Sequence, residues 1–253
     1  MTESTTLTSQ QYWEKYYDKK RTVSRESIIQ VCSAYDIYWD KMIKACSRKP
    51  KSIIEIGAYP GRYLAYLAAK YQLHPTALDY NSDRSKIEES FEVMGVSDYN
   101  IIQADFLKHE TNEKYDLVIS NGFIEHFKNF DEILDRHCNY LNSGGVLFVM
   151  IPNKRFLRKW YGFMVDYANL KMHNLKSMRL SVFRAFAYRN KLNIELLTYY
   201  GGFPYSVHQK LNFPQKIIYQ IFRQIFKRIN SIIEKYPNRF LSSSIIAIYT
   251  SKQ

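Results

Sequence analysis

The sequence is short of cysteine, of long apolar runs and, in its second half, of acidic residues. Its three cysteines, Cys32, Cys46 and Cys138, are odd in number and lack C-x-x-C spacing, which argues against both a disulfide frame and a zinc site. The longest apolar run near the middle, VLFVMI at 146–151, falls far short of the ~20 residues that cross a bilayer as a helix. The N-terminal MTESTTLTSQQ has no basic stretch followed by an apolar one, so no secretion signal is read there and a cytoplasmic location is expected. No repeat or low-complexity tract interrupts the chain. With 253 residues and 46% hydrophobic composition, it can bury one large core with attachments.

The missing acids are confined to one region. Residues 154–240 carry 17 Lys and Arg against Asp166, Glu195 and Glu234, a net +14, whereas residues 1–153 carry 18 against 21 acids, a net −3; Lys252 completes the +12 of the whole chain. Such asymmetry points to an anionic partner: a membrane surface, nucleic acid or an acidic substrate. A merely solvated basic face is the plainer alternative.

What is present is an alternation of short apolar runs and amphipathic ones. Two helices are expected ahead of Pro50, in SQQYWEKYYDKK and SRESIIQVCSAYDIYWDKMIKAC, from their helical apolar spacing. From Pro50 the pattern runs SIIEIG (strand), 62–72 (helix), PTALDY (strand), 83–94 (helix), YNIIQAD and YDLVISN (strands), 130–141 (helix) and GGVLFVMIP (strand). This rhythm predicts an α/β fold with a mostly parallel sheet covered on both faces. Asn142-Ser143-Gly144-Gly145 is expected to stop a helix before the fifth strand. After Pro152 a basic, aromatic stretch at 154–175 predicts a helical cap, a helix follows around 177–190, and LNIELLTYY and SSIIAIYTS are the last two strands, with a long insertion between them. Residues 1–49 thus form an N-terminal helical lid, 50–153 a ligand-binding core, and 154–253 a substrate cap, a basic helix and the final strands of the same domain.

In an open α/β sheet, ligands bind beyond the carboxyl ends of the strands. The residues there are 55–61, Asp79, Asp105-Phe106 and 121–126. A dinucleotide fingerprint needs three glycines, and EIGAYPGR offers Gly57 followed by Tyr59 and Arg62 where the second and third belong, so NAD and FAD are disfavoured. An adenosine ligand without a pyrophosphate needs less: Gly57 for close backbone approach, Gly61 for the turn into the helix, and an acid after the second strand whose two oxygens accept from the ribose hydroxyls. Asp79 is that acid.

These motifs resemble those of class I S-adenosylmethionine-dependent methyltransferases, over about residues 50–151. Glu55, Gly57 and Gly61 match the family's first motif, with Tyr59 in place of its central glycine. The resemblance implies a doubly wound, mostly parallel seven-stranded, Rossmann-like sheet. It also implies S-adenosylmethionine as cofactor, with Asp79 on the ribose, Asp105 and Phe106 on the adenine, and Asn121 in the fourth motif, YDLVISNGFIEHF, which runs from Asp116 past Glu125 and His126. Singly, Asp79 reads equally as a loop acid and Asp105 as a helix cap; four motifs in order at strand spacing outweigh that.

Methyl transfer from a sulfonium is mainly a matter of positioning. His126 is the candidate base, against the alternative of a histidine bonded to the backbone beneath the cofactor. Asn121-Gly122-Phe123 lacks both prolines of the Asn-Pro-Pro-Tyr motif of amino-methylating enzymes, which turns the expectation toward a small-molecule, saccharide or lipid-like acceptor, at a hydroxyl, and makes nucleic acid a lesser partner. No metal-ligand cluster stands out. Tyr12, Trp13, Tyr16 and Tyr17 supply rings that can close over a sulfonium or simply pack on the sheet, and Arg62 is a candidate for the methionine carboxylate. Arg155, Arg158, Lys159 and His173 are candidates to grip an acceptor's phosphate or carboxylate, with Trp160, Tyr161, Phe203 and Tyr205 to stack on its ring.

Residues 214–235 form a basic amphipathic helix, with isoleucines and phenylalanines at helical spacing and one acid, Glu234. Packing of its apolar face on the sheet, or on a second copy in a homodimer, is the usual fate of such a stripe. An anionic membrane surface is the competing partner, and would make the protein peripheral to the membrane. The readings that remain beside a small-molecule methyltransferase are an RNA methyltransferase and a non-catalytic adenosyl-binding or membrane-adaptor protein.

Overall fold

A computed structural model describes residues 6–17, 23–207 and 209–252, without the side chains of 15–17; Tyr16 and Tyr17, as rings over a ligand, lie outside the described residues, as do 1–5 and 18–22 of the expected lid. In chain order the elements are α1 (Gln10–Tyr17), α2 (Arg25–Cys32), α3 (Asp36–Ala45), β1 (Ser52–Ile56), α4 (Arg62–Tyr71), β2 (His74–Asp79), α5 (Ser85–Met94), β3 (Asn100–Gln103), β4 (Tyr115–Asn121), α6 (Phe130–Arg136), β5 (Leu141–Pro152), α7 (Leu157–Val165), α8 (Tyr167–Leu170), α9 (Leu180–Arg189), β6 (Asn193–Tyr200), α10 (Phe213–Lys235) and β7 (Ser244–Thr250).

The seven strands form one sheet in the order β3-β2-β1-β4-β5-β7-β6. β1 to β5 are parallel, and β7 runs antiparallel between β5 and β6. This is the Rossmann-like methyltransferase topology implied by the motifs. Successive strand residues point to opposite faces, so Ile53, Leu117, Val146 and Phe148 enter one core with α2 to α5, while Ile54, Val118, Leu147 and Val149 enter the other with α6 and α9. Burial on both faces explains why these strands read as continuous apolar runs. A third, smaller cluster, built on Tyr161, Phe203, Phe226 and Ile233, joins α7 to α10 away from the sheet.

Two local expectations come out differently. The segment after Val23 is two helices rather than one, separated by a tight turn at Ser33–Tyr35. The break frees the Cys32 carbonyl, which accepts from the Trp39 indole at 3.0 Å, and the fully buried Trp39 ring packs 4.4 Å from Phe148 of β5. Likewise, 142–145 does not separate a helix from a strand: β5 already begins at Leu141, and its register jumps from Tyr115↔Leu141 to Leu117↔Val146. A Cβ on Gly145 would stand 3.0 Å from the Asp116 carbonyl, so this bulge needs glycine.

Asp116, at the N-terminal end of β4, lies at the edge of the sheet opposite the cleft described below. Its carboxylate accepts from the Lys51 and Ser52 N–H groups at 2.9 and 3.3 Å, from Arg48 at 3.1 Å and from Asn142 at 3.1 Å. Burial pushes its pKa up, but these bonds outweigh it and hold the carboxyl below its ordinary value.

Candidate active site

The carboxyl ends of β1, β2 and β4 open into one cleft. β1 runs into Gly57 at φ +72°, whose N–H donates to the Leu78 carbonyl at 2.9 Å and fastens the turn to β2. A Cβ on Gly57 would come within 2.5 Å of the Phe123 ring, so the turn and the β4 loop are in intimate contact. Gly61, at φ +91°, starts α4, and a Cβ there would meet the Ile87 Cα at 3.0 Å. Both positions lie where an L side chain is strained.

Asp79 ends β2. Its Oδ2 accepts from the Tyr59 N–H at 2.9 Å and its Oδ1 from the Asn81 N–H at 2.8 Å. Burial raises its pKa, against the pull of these bonds. Asp105 caps the next turn through the Leu107 N–H, and Phe106 is buried against Phe123 and His137. Asn121, at the end of β4, donates to Glu55 Oε1 at 2.7 Å, while its own Oδ1 is buried with no hydrogen-bond partner among the described residues. Gly57, Tyr59, Asp79, Asp105, Phe106, Asn121 and His126 all line the cleft, which encloses about 950 Å³ of space, part of it continuous with solvent.

Glu55 and Gly61 stand behind this wall. Glu55 is buried and receives the Leu64 N–H at 3.1 Å as well as Asn121, so it ties β1 to α4 and β4; burial pushes its carboxyl up to about 8. Arg62 turns outward over the Tyr63 ring, 4.8 Å from its centroid.

The N-terminal segment roofs the cleft, with Thr6, Thr8, Gln10 and Trp13 among its lining. Leu7 donates to the His126 carbonyl at 2.7 Å, Gln10 to the Tyr80 carbonyl at 3.0 Å, and Trp13 to Thr8 at 3.1 Å. The Trp13 ring meets His126 edge to face at 4.8 Å. α2 and α3 pack on the sheet instead.

The 3-10 turn Ile124–His126 forms the floor. The His126 Nδ1 lies 2.9 Å from the Met172 carbonyl, which only accepts, so Nδ1 carries the proton and Nε2 the lone pair. Nε2 is 3.8 Å from Glu125 Oε1, and Glu125 Oε2 is buried with no partner among the described residues. Burial pushes Glu125 up to about 8 and His126 down to about 4. The His173 ring packs tilted against His126 at 4.7 Å, its Nδ1 on the Asn169 carbonyl. Glu125, His126 and His173 bring one ligand atom each within 4.8 Å of one another, a spacing a metal ion can use. The Lys154 ammonium bears electrostatically on all three, which opposes a cation. Burial lowers Lys154 itself to about 7. His173 and Lys154 thus belong to the neighbourhood of His126, which their positions in sequence do not announce.

Of the acceptor candidates, His173 lies beside His126; the five that follow are placed differently. Tyr161 and Phe203 are fully buried in the α7–α10 cluster, the Tyr161 hydroxyl donates to the Tyr205 carbonyl at 2.5 Å, and Arg158 donates to the Pro204 carbonyl. Trp160 faces solvent, and none of these five residues is part of the cleft lining. What the sequence did not single out are Tyr80, Asn81 and Phe127 of the lining. Each follows a strand end by a few residues, a signal shared with any loop residue.

The profile of a protein family described as methyltransferase domain matches residues 32–215. Among curated proteins, (S)-tetrahydroprotoberberine N-methyltransferase of Eschscholzia californica is 27% identical over 127 residues, 49% of this chain and 35% of that protein. N-methyltransferase 4 of Papaver somniferum is 30% identical over 105 residues, 40% of this chain and 30% of that protein. The matched stretch is thus only about a third of these relatives' own length. Among solved structures, coclaurine N-methyltransferase bound to N-methylheliamine and SAH is similar, with a TM-score of 0.57 at 16% identity, over 92% of this chain and 75% of that one. A sarcosine dimethylglycine methyltransferase assigned in Galdieria sulphuraria has a TM-score of 0.59 at 14% identity, over 96% and 98%. At these identities the structural likeness speaks to the fold.

Proposed function

The chain belongs to the methyltransferase-domain family, and from that we propose that it is an S-adenosylmethionine-dependent methyltransferase acting on a nitrogen of a small-molecule acceptor. The observation that carries this reading is the meeting in one cleft of Asp79, its carboxylate held by two backbone N–H groups, with Asn121, whose buried Oδ1 lacks a partner among the described residues.

The chemistry of this donor set fits the cofactor. Each Asp79 oxygen keeps a second lone pair, suited to a ribose hydroxyl. The Asn121 Oδ1 is an acceptor suited to the ammonium of the methionine part. Leu78, Phe106 and Leu107 supply an apolar wall suited to adenine, and Tyr59 and Trp13 keep water from the reacting end. Glu55 and Gly61 act indirectly, by holding the turn that carries Gly57. When bound, the cofactor supplies an activated methyl on a sulfonium, so this chain's residues need only position the acceptor and take up its proton.

The titrating groups on the floor favour nitrogen over the hydroxyl expected from the sequence. A protonated amine gives up its proton near pKa ~10, within reach of the pair formed by His126 Nε2 and Glu125. An alcohol, near the ~16 of water, asks more of bases this weak than an ammonium does. The curated relatives are likewise N-methyltransferases by name.

Calorimetry with S-adenosylmethionine and its demethylated product tests the cofactor half: micromolar uptake is expected, with Asp79→Ala weakening it at least ~tenfold. Incubation with methyl-labelled donor and panels of small amines, alcohols and RNA tests the rest. Label in the amine fraction is expected; label only in alcohols or RNA overturns the acceptor class, and uptake without transfer to any panel supports the adaptor reading instead.

A further inference from the structure

We propose that the outer face of α7 and α10 docks on an anionic lipid bilayer, so that the protein works as a peripheral membrane protein. α10 carries two parallel apolar stripes. The inner one, centred on Phe226 and Ile233, packs on Tyr161 and Phe203. The outer one, Ile217, Ile221, Ile225 and Ile232, is 48, 52, 49 and 59% exposed. Four isoleucines in line on open solvent are unlike the scattered apolar residues of ordinary surfaces.

Exposed rings also stand on α7. The Gln215 side chain donates to the Met164 carbonyl at 3.0 Å, which fastens the start of α10 beside the end of α7; on that helix Phe163 is 60% exposed and Trp160 67%. Phe213 and Tyr236 stand exposed at the two ends of α10. Aromatic residues at the margins of an apolar strip suit the boundary between headgroups and acyl chains.

Charge selects the occupant. Lys216, Arg223, Lys227, Arg228 and Lys235 lie exposed along the same helix, with Glu234 as its acid. A second copy seated on this face would bring two such cationic helices together, whereas acidic headgroups neutralise them. RNA would also meet the cations but would leave the isoleucines in water. Among the described residues no helix is long and apolar enough to cross a membrane, so contact is along the surface. The proposal is independent of the methyl-transfer reading, since none of these α7 and α10 residues lines the cleft.

Flotation of the full chain with vesicles tests it. With phosphatidylcholine containing a quarter phosphatidylglycerol, binding at low salt is expected, weaker on pure phosphatidylcholine and reduced by raised salt. Lys227→Gln with Arg228→Gln should lower partition about 30-fold, each charge contributing roughly fivefold. Ile221→Asp with Ile225→Asp should abolish it, while Ile37→Asp, at an exposed site on α3, should leave it unchanged. Should the isoleucine variant fail to fold, the charge variant still decides. No flotation at low salt overturns the proposal. So does a dimer in sedimentation velocity that dissociates in the isoleucine variant without vesicle binding, and so does retention by RNA that the charge variant loses while flotation stays unaffected.

Discussion

Glu125 Oε1 and His126 Nε2 face each other across 3.8 Å in a buried site, with the imidazole Nδ1 anchored on the Met172 carbonyl. At neutral pH this is not an ion pair: burial drives the carboxyl up to about 8 and the imidazole down to about 4, so both groups are held toward their neutral forms.

The first prediction concerns pH. With the pair receiving the acceptor's proton, the carboxylate is the competent form, and kcat/KM should rise with pH up to about 8. Glu125→Gln should remove that limb and lower the rate about 10²- to 10⁴-fold. Stability should move the opposite way. A carboxyl whose folded pKa is raised from 4.5 to about 8 contributes stability that is present below 4.5 and lost as pH rises through 8. Thermal melts at pH 5 and 9 should therefore show a smaller drop for Glu125→Gln than for the wild type.

Gly61→Ala should be costly. The residue sits at φ +91°, and the new methyl would meet Ile87 at its Cα rather than at a yielding side chain. A loss of about 1–3 kcal/mol in urea unfolding is expected. An unchanged midpoint would mean that the turn relaxes freely.

Asp116→Ala removes the acceptor for two backbone N–H groups, Lys51 and Ser52, at the edge of the sheet opposite the cleft. It should cost about 2–4 kcal/mol while leaving cofactor affinity intact. Because the native carboxyl is held below its ordinary value of 3.8, its contribution is present above that pH and is lost as pH falls through the folded pKa. The variant should accordingly show a shallower acid limb in its stability profile.

Trp13→Ala removes the ring that meets His126 at 4.8 Å above the cleft. Since no described side chain of α1 belongs to the three apolar clusters, the melting temperature should barely change. Cofactor affinity should fall about tenfold. Equal binding by variant and wild type would detach the N-terminal segment from the site.

Much of this architecture was legible in the chain alone. Ile53, Ile54 and Ile56 beside Gly57, and the apolar run of β5, announce strands buried on both faces, because a period of two or an unbroken apolar run is written locally. Asp79 and Asp105 were legible for the same reason: a strand end is a position in sequence, and in a parallel sheet such ends converge on one side. The tight turn at Ser33–Tyr35 was not, because it depends on Trp39 reaching Phe148, more than a hundred residues away.

The sequence by itself determined the parallel sheet, the glycine-bearing turn at its centre and the row of polar residues along its carboxyl edge, since each follows from the spacing of neighbours. Only the tertiary structure decided which side chains share a site. His126 meets Trp13 and His173, and feels the charge of Lys154, through packing between distant elements, and the same packing draws Tyr161 and Phe203 into a core of their own and leaves the isoleucines of α10 facing outward. Spacing along a chain sets which face of an element a residue occupies, and only the neighbour that covers that face sets what the residue can do.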